Sequence, residues 1–402
     1  MAAMPEAGSI TVALVYGSDF AATSPGGIAG SIEEAVAELG DRVDFTVVGV
    51  RDASAGENGT IDVGGRRLKC IPVVPARRRF PWIPLNIEFT ARLFFRRNGI
   101  VQNVDLVHAH RMELAIPFLF AKKRPVLLTI HGASKHHVYC TTGLLRWRLV
   151  RWIYDLVEGL VIAGVDRVIC VSADGLTYYR HRYPRMSRKF VQIPNALRID
   201  ESKSLDRRAA REAFGLTDGS VCVAFVGRLS AEKQIDRLIE AFAEIVREVP
   251  QATLLIAGDG PERPAIVDLI GRLRVPNVRL LGLIPRRDVR WMLAAADVLV
   301  LPSRFEGFPM TVLEALSAGV PVVATPVGGV TEILGDGLKD FILPDVSILT
   351  LKEKILAAAR RKAEVQALCI RATARFRPDV VFRELEHIYQ THTQTGWTNR
   401  FE

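Results

Sequence analysis

A chain of 402 residues, 49% hydrophobic and 24% charged, has room for two domains and the balance of a globular protein rather than a disordered one. No apolar run reaches the roughly 18–20 residues that a spanning helix needs, Met1 to Gly8 lacks the layout of a signal peptide, and five scattered cysteines (Cys70, Cys140, Cys170, Cys222, Cys369) show no CxxC and no histidine at metal spacing, which argues against disulfides and structural zinc and fits a cytoplasmic protein. The net charge of +9 asks for an anionic partner, and because the basic residues form no RRM, KH or helix-turn-helix pattern, nucleic acid is set aside in favour of an anionic substrate or membrane face.

In chain order, Ser9 to Gly17 reads as a strand closed by glycine. Ser24-Pro25-Gly26-Gly27 follows, then a helical pattern from Ile28 to Leu39. Strand, Gly-rich turn and helix point free N–H groups into the turn, an anion-binding layout. The spacing matches neither GxGxxG nor a P-loop, and an ordinary strand-to-helix turn reads the same way. Asp44 to Val50 is the next strand. Asp52 to Gly65 is a polar surface loop or hairpin, Arg77 to Asn86 a Pro/Trp/Arg loop, and Ile87 to Asn98 a basic amphipathic helix. Asp105 to His110 is a strand with His108 and His110 near its carboxyl end, and Val126 to Gly132 another that ends in His131. In a parallel sheet His110 and His131 emerge on the ligand-binding edge. A lone histidine there is as readily structural; a pair on one edge favours a site. Leu144 to Leu160 is a helix rich in Arg and Trp, and Val168 to Ser172 and Phe190 to Ile193 are strands.

The charged stretch Leu197 to Thr217 marks the domain boundary, and a second strand–helix alternation follows. Val221 to Val226 is a strand ending in Gly227-Arg228. Ser230 is expected to cap a helix from about Glu232 to Val249, with Lys233 in its first turn. A lysine there opposes the helix dipole and so requires an anionic partner. Arg228 and Lys233 straddle the turn, with the reach to hold a pyrophosphate. Thr253 to Ala257 is a strand before Gly258-Asp259-Gly260-Pro261. Val278 to Leu281 is another, before Gly282 and Ile284-Pro285.

Val298 to Thr325 reads as strand, loop, helix, strand. Pro309 suits the helix start, and Gly319 with Pro321 ends it. Glu306 lies in the loop beyond the strand's carboxyl end, where open α/β sheets bind ligands. Glu314 lies among Val312, Leu313, Ala315 and Leu316, where a charge is costly without a hydrogen-bonding partner. A sugar or ribose diol is one such partner; a nearby surface base is the plainer one. A second Gly-rich turn, Pro326 to Glu332, and helices from Ser347 to Ala374 and Pro378 to Gln390 complete the chain. Two doubly wound α/β domains facing across a cleft follow from this order.

Taken together, Gly227-Arg228-Leu229, Glu232-Lys233, Gly258-Asp259-Gly260-Pro261, Ala296-Asp297 before Pro302-Ser303, Glu306-Gly307-Phe308-Pro309, Glu314-Ala315 and Gly328-Gly329-Val330-Thr331-Glu332 resemble the retaining glycosyltransferases of family 4. The N-terminal half agrees more loosely through Gly26-Gly27, Val107-His108-Ala109-His110, Thr129-Ile130-His131-Gly132 and Ile193-Pro194-Asn195. The resemblance implies the GT-B fold: an acceptor-binding Rossmann-like domain over residues 1–203, a nucleotide-sugar-binding one over 204–376, and a C-terminal helix with tail, 377–402, crossing back to the first. It also implies a metal-independent hexosyltransferase with no cofactor beyond its nucleotide-sugar substrate.

By the same resemblance Arg228 and Lys233 hold the donor diphosphate, and Glu314 bonds the ribose. Glu306 contacts sugar hydroxyls, while backbone N–H groups from Phe308 through Pro309 and Met310 to Thr311 face sugar and phosphate. Gly307 and Ile284 complete the donor set. Gly26 and Gly27 let the N-terminal loop close over the phosphates, and His131 stands near the sugar's reactive edge. His110, His131 and Arg111 are acceptor-side candidates. Gln234 stands where the family usually has glycine. Pro285-Arg286-Arg287 stand where users of GDP-mannose often have an acid, which favours UDP-sugars over GDP-sugars. A glycan or lipid-linked acceptor of polysaccharide biosynthesis is expected. The Arg/Trp helix at 144–160 and the loop Arg77–Trp82 are candidates for an anionic membrane surface, unless Trp147 and Trp152 belong to the core. The alternative function is a non-catalytic nucleotide-sugar-binding or interaction subunit of the same fold.

Overall fold

The computed structural model describes residues 10–17, 27–51, 59–75, 85–121, 124–132, 148–198, 205–217 and 219–394. They fall into two compact units, one running up to Ala196 and resuming at Pro378, the other Leu197–Arg377.

The first unit is built on eight strands, β1 (Ile10–Val15), β2 (Val43–Arg51), β3 (Thr60–Val63), β4 (Arg66–Pro75), β5 (Leu106–Ala109), β6 (Val126–Ile130), β7 (Arg167–Cys170) and β8 (Phe190–Gln192). Their order is β3-β4-β2-β1-β5-β6-β7-β8. All pairs are parallel except the hairpin β3–β4. The polar stretch expected as loop or hairpin is thus a hairpin at its end, turning at Gly64-Gly65 with both φ positive, where glycine carries no steric penalty. Its second strand was not expected: Arg66, Arg67 and Lys69 mask the alternation.

Five helices, α1 (Gly27–Leu39), α2 (Leu85–Gln102), α3 (Met112–Leu119), α4 (Arg148–Gly164) and α5 (Ala173–Arg182), together with the C-terminal helix Pro378–Gln394, cover the sheet. Successive residues of β1 part to its two faces, as the pleat demands. Val12 and Leu14 join a core with α1 and the C-terminal helix, while Ala13 and Val15 join one with α2, α3 and α4. The C-terminal helix buries Val381, Phe382, Leu385, Ile388 and Tyr389, one stripe at helical spacing, and each such apolar side chain is worth about 1.5–3 kcal/mol when removed from water.

The second unit carries a five-stranded sheet, β9 (Cys222–Val226), β10 (Thr253–Ala257), β11 (Val278–Gly282), β12 (Val298–Leu301) and β13 (Val322–Ala324). Every pair is parallel and the order is β11-β10-β9-β12-β13. Around it run α6 (Arg207–Ala213), α7 (Ile235–Glu248), α8 (Arg263–Leu273), α9 (Arg286–Ala295), α10 (Met310–Ser317), α11 (Val330–Leu334), α12 (Ile348–Arg360) and α13 (Lys362–Thr373). β9, β10, β12 and β13 are buried apart from the last residue of β9, which is why they read as unbroken apolar runs.

Chain order reverses between β9 and β12 in this unit, and between β1 and β5 in the first. Such reversals open a crevice at the carboxyl ends of the strands. The loop after β9 carries Arg228 and Lys233, and the loop after β12 carries Glu306. His110 and Arg111 follow β5.

Candidate active site

In the second unit the two loops at the reversal are fastened together. The ammonium of Lys233 donates to Glu306 Oε1 at 2.6 Å, and their side chains are 17% and 8% exposed. The backbone N–H of Arg304 donates to the carbonyl of Glu232 at 2.7 Å. The anion that the placement of Lys233 called for is therefore Glu306. Removing two charges from water is costly unless their geometry is held, and the surrounding backbone holds it. A Cβ on Gly328 would lie 2.3 Å from the Glu306 carbonyl oxygen, and one on Gly329 2.2 Å from the Phe308 ring. Gly329 N–H donates to the Gly307 carbonyl at 2.8 Å. Likewise a Cβ on Gly258 would meet the Gly227 oxygen at 1.9 Å, and one on Gly260 the Leu229 oxygen at 2.3 Å. Gly328, Gly258 and Gly260 let neighbouring loops touch backbone to backbone, and Gly329 leaves room for the Phe308 ring.

The helix start differs from expectation. Ala231–Lys233 form a single 3-10 turn, and α7 begins at Ile235. Ser230 gives no side-chain cap; its hydroxyl donates to Glu232 Oε1 at 2.6 Å instead. Between the two helical pieces Gln234 adopts φ 47°, ψ 45°, the left-handed conformation in which glycine is unstrained. The departure from the usual glycine thus falls on the joint that turns Lys233 toward Glu306. Arg228 is exposed on the same loop.

Glu314 lies in α10 and accepts from Arg286 Nε at 3.2 Å, with the two side chains 11% and 34% exposed. Arg286 opens α9, two residues beyond half-buried Ile284. In the sequence Arg286 bears only on the choice between UDP- and GDP-sugars; its bond to Glu314 has no local signal beyond the need of Glu314 for a partner. α10 starts at Met310 after Pro309, and no side chain caps it, so the first-turn N–H groups of Met310 and Thr311 lack a side-chain acceptor. Thr311 is half-buried, and Phe308 is a core ring packed edge-on to Phe376 at 5.3 Å.

In the first unit β5 and β6 deliver three histidines. His108 Nδ1 is 2.7 Å from the Tyr389 hydroxyl and its Nε2 is 2.7 Å from Thr129 Oγ1. His110 Nδ1 is 3.0 Å from His131 Nε2. Burial holds His108 down to about 3, and protonation of His131 in acid would oppose a second charge there. Burial, with Arg111, holds His131 to about 3, and His110 also lies well below the ordinary value because it is buried beside the other two. All three are therefore neutral near pH 7. Arg111 precedes α3 and pairs with Glu113 at 3.6 Å. Gly27 is the exposed first residue of α1, while Gly26 lies outside the described residues.

On α4, Trp152, Leu156 and Leu160 are 61%, 50% and 63% exposed, with Ile153 beside them; Trp152 is not a core residue. Trp147, Arg146 and the loop Arg77–Trp82 lie outside the described residues. Among the described residues no group of three or more His, Cys, Asp or Glu is placed to hold a metal ion. No helix among them is long and apolar enough to cross a membrane.

Comparison with known proteins matches residues 206–375 to the family described as glycosyl transferases group 1 and residues 25–201 to glycosyltransferase family 4. Among curated relatives, α-D-kanosaminyltransferase of Streptomyces kanamyceticus is 35% identical over 59% of this chain and 64% of its own length. The 2-deoxystreptamine N-acetyl-D-glucosaminyltransferase of Niallia circulans is 24% identical over 72% and 75%. For several D-inositol 3-phosphate glycosyltransferases the chain spans about half of the relative's length, 42%, 50% and 50%. Among solved structures, Anabaena HepE in complex with UDP and glucose shares the fold with a TM-score of 0.72 at 19% identity, over 95% of this chain and 100% of that one.

Proposed function

Since the chain belongs to glycosyltransferase family 4 and has the GT-B fold, we propose that it is a retaining, metal-independent hexosyltransferase that moves a sugar from a nucleotide-sugar to a hydroxyl of a glycan, glycolipid or lipid-linked acceptor. The observation that carries this is the Lys233–Glu306 pair at 2.6 Å, held at the strand-order reversal of the second unit with Arg228 on the same loop.

Lys233 and Arg228 are the cations for the donor diphosphate. They offset the charge that grows as the C1–O bond to phosphate breaks and the nucleotide departs with the electron pair. The acceptor oxygen bonds to C1 on the face the leaving group vacates, and its proton passes to a β-phosphate oxygen of that group. Glu306, aimed by Lys233, grips sugar hydroxyls. Glu314, aimed by Arg286, grips the ribose, and the uncapped start of α10 receives phosphate or sugar oxygens. Arg286 and Arg287 near the nucleotide favour a UDP-sugar over a GDP-sugar, and the UDP complex of HepE agrees. His131 bonds a sugar hydroxyl as a neutral group. Hydrolysis and transfer by purified protein across UDP-, GDP- and ADP-sugars, with and without EDTA, test the reading. Turnover with one UDP-sugar that survives EDTA is expected; tight nucleotide binding with no turnover on any donor would instead establish a non-catalytic subunit.

The acceptor reading rests on α4. Its exposed Trp152, Leu156 and Leu160 form an apolar strip in a segment whose sequence carries Arg146, Arg148 and Arg151, the composition of a helix lying in an anionic interface. Flotation with anionic vesicles, lost when the three arginines are neutralised, is expected of a peripheral membrane enzyme. No flotation with either protein would point to a soluble acceptor.

A further inference from the structure

His110 and His131 follow directly on β5 and β6, which run in parallel register with Ala109 beside Leu128. A neutral imidazole has one N–H donor and one bare acceptor nitrogen. The bond between His110 Nδ1 and His131 Nε2 therefore uses one nitrogen of each ring in opposite roles, so that the tautomer of His110 settles the role left to His131 Nδ1. Those remaining nitrogens, His110 Nε2 and His131 Nδ1, are buried and have no hydrogen-bond partner among the described residues. Both rings line a cavity of about 30 Å³ with Ser31, Thr129 and Asn195, room for a water or a single hydroxyl.

His110 cannot turn freely. It is 7% exposed, and its ring lies 4.4 Å, centroid to centroid, from that of His108. His108 is pinned from both sides by Tyr389 and Thr129. A chain of fixed rings thus runs from the C-terminal helix to His131.

We propose that His110 is a positioning residue that locks the ring plane and tautomer of His131, so that His131 Nδ1 meets a substrate hydroxyl in one hydrogen-bonding role only. The substrate half of this statement rests on the glycosyl-transfer reading; the tautomer half does not.

The test joins ¹⁵N NMR of the histidine rings to steady-state kinetics. In the parent protein His131 is expected in a single neutral tautomer. His110→Phe keeps the ring but removes the bond. It should leave His131 as a mixture and lower kcat by about tenfold or more with the donor KM changed by less than about twofold. His110→Asn sets a polar atom where Nδ1 stood and should restore the single tautomer and most of kcat. His110→Gln, whose amide reaches the Nε2 position instead, should behave like Phe and replaces it if the Phe variant fails to melt cooperatively. A His131 tautomer unchanged in the Phe or Gln variant overturns the proposal, as does a kcat within about twofold of the parent. If the parent turns over no nucleotide-sugar, the glycosyl reading falls, and the NMR arm still decides whether His110 sets the tautomer.

Discussion

The two units place different chemistry at the carboxyl ends of otherwise similar parallel sheets. In the second unit the segments that follow the strands present full charges in fixed pairs, Lys233 with Glu306 between two loops and Arg286 with Glu314 between two helices. In the first, β5 and β6 present three imidazoles that burial keeps uncharged. The contrast fits a division of labour. A leaving diphosphate needs cations already aimed at it, whereas hydroxyl groups are met by neutral donors and acceptors that do not attract stray anions.

The largest effect should come from breaking the charged side. Lys233→Ala leaves the carboxylate of Glu306 buried without its partner and removes the cation proposed for the diphosphate. A loss in kcat/KM well beyond tenfold is expected, at ~1.4 kcal/mol per tenfold, and near-parental transfer would detach Lys233 from the diphosphate. Glu314→Ala should also cost more than about tenfold in kcat/KM, chiefly through donor KM, because it removes binding remote from the bond that breaks. Arg286→Ala should reproduce part of that loss; an unchanged KM in Arg286→Ala would make the Arg286–Glu314 bond incidental.

The neutral side is sharpened by acid. His108 titrates near 3 in the folded protein against an ordinary 6.5, so the unfolded chain binds its proton first. Its contribution to stability is whole above pH 6.5 and is lost as pH falls through the window from 6.5 toward 3, with a slope of at most about 1.4 kcal/mol per pH unit. Thermal melts from pH 7 to pH 4 should show the decline, and His108→Gln should make it shallower without abolishing it, because His110 and His131 are held down in the same way. A pH-independent melting temperature in the parent would mean that His108 is not buried neutral. The smallest effect concerns Gln234. A left-handed non-glycine residue costs about 1–2 kcal/mol in strain, so Gln234→Gly should gain up to about 1 kcal/mol by chemical denaturation. A loss would show that the buried Gln234 side chain outweighs the strain.

Much of the charged side was legible in the sequence, because each element there is local. Apolar runs gave the strands, glycines the loops, and the misplaced Lys233 and Glu314 each announced a missing partner. The partners themselves were not legible. Glu306 lies 73 residues from Lys233, and Arg286 is 28 residues before Glu314 in what read as a loop. The neutral side was harder. Two histidines on one edge were visible, yet the Tyr389 hydroxyl that pins His108 comes from 281 residues away, and no local pattern encodes it. β4 was missed because its exposed Arg67 and Lys69 hid the alternation with the buried Leu68 and Cys70.

The close approach of Gly328 to the Glu306 carbonyl has a bearing on how donor preference can drift. Any side chain at Gly328 or Gly329 pries apart the segment carrying Glu306, so this stretch is closed to gradual variation. New preferences must enter elsewhere, and the half-buried Ile284 and Arg286, which already carry side chains that can be exchanged, are the door left ajar for selection and for the engineer.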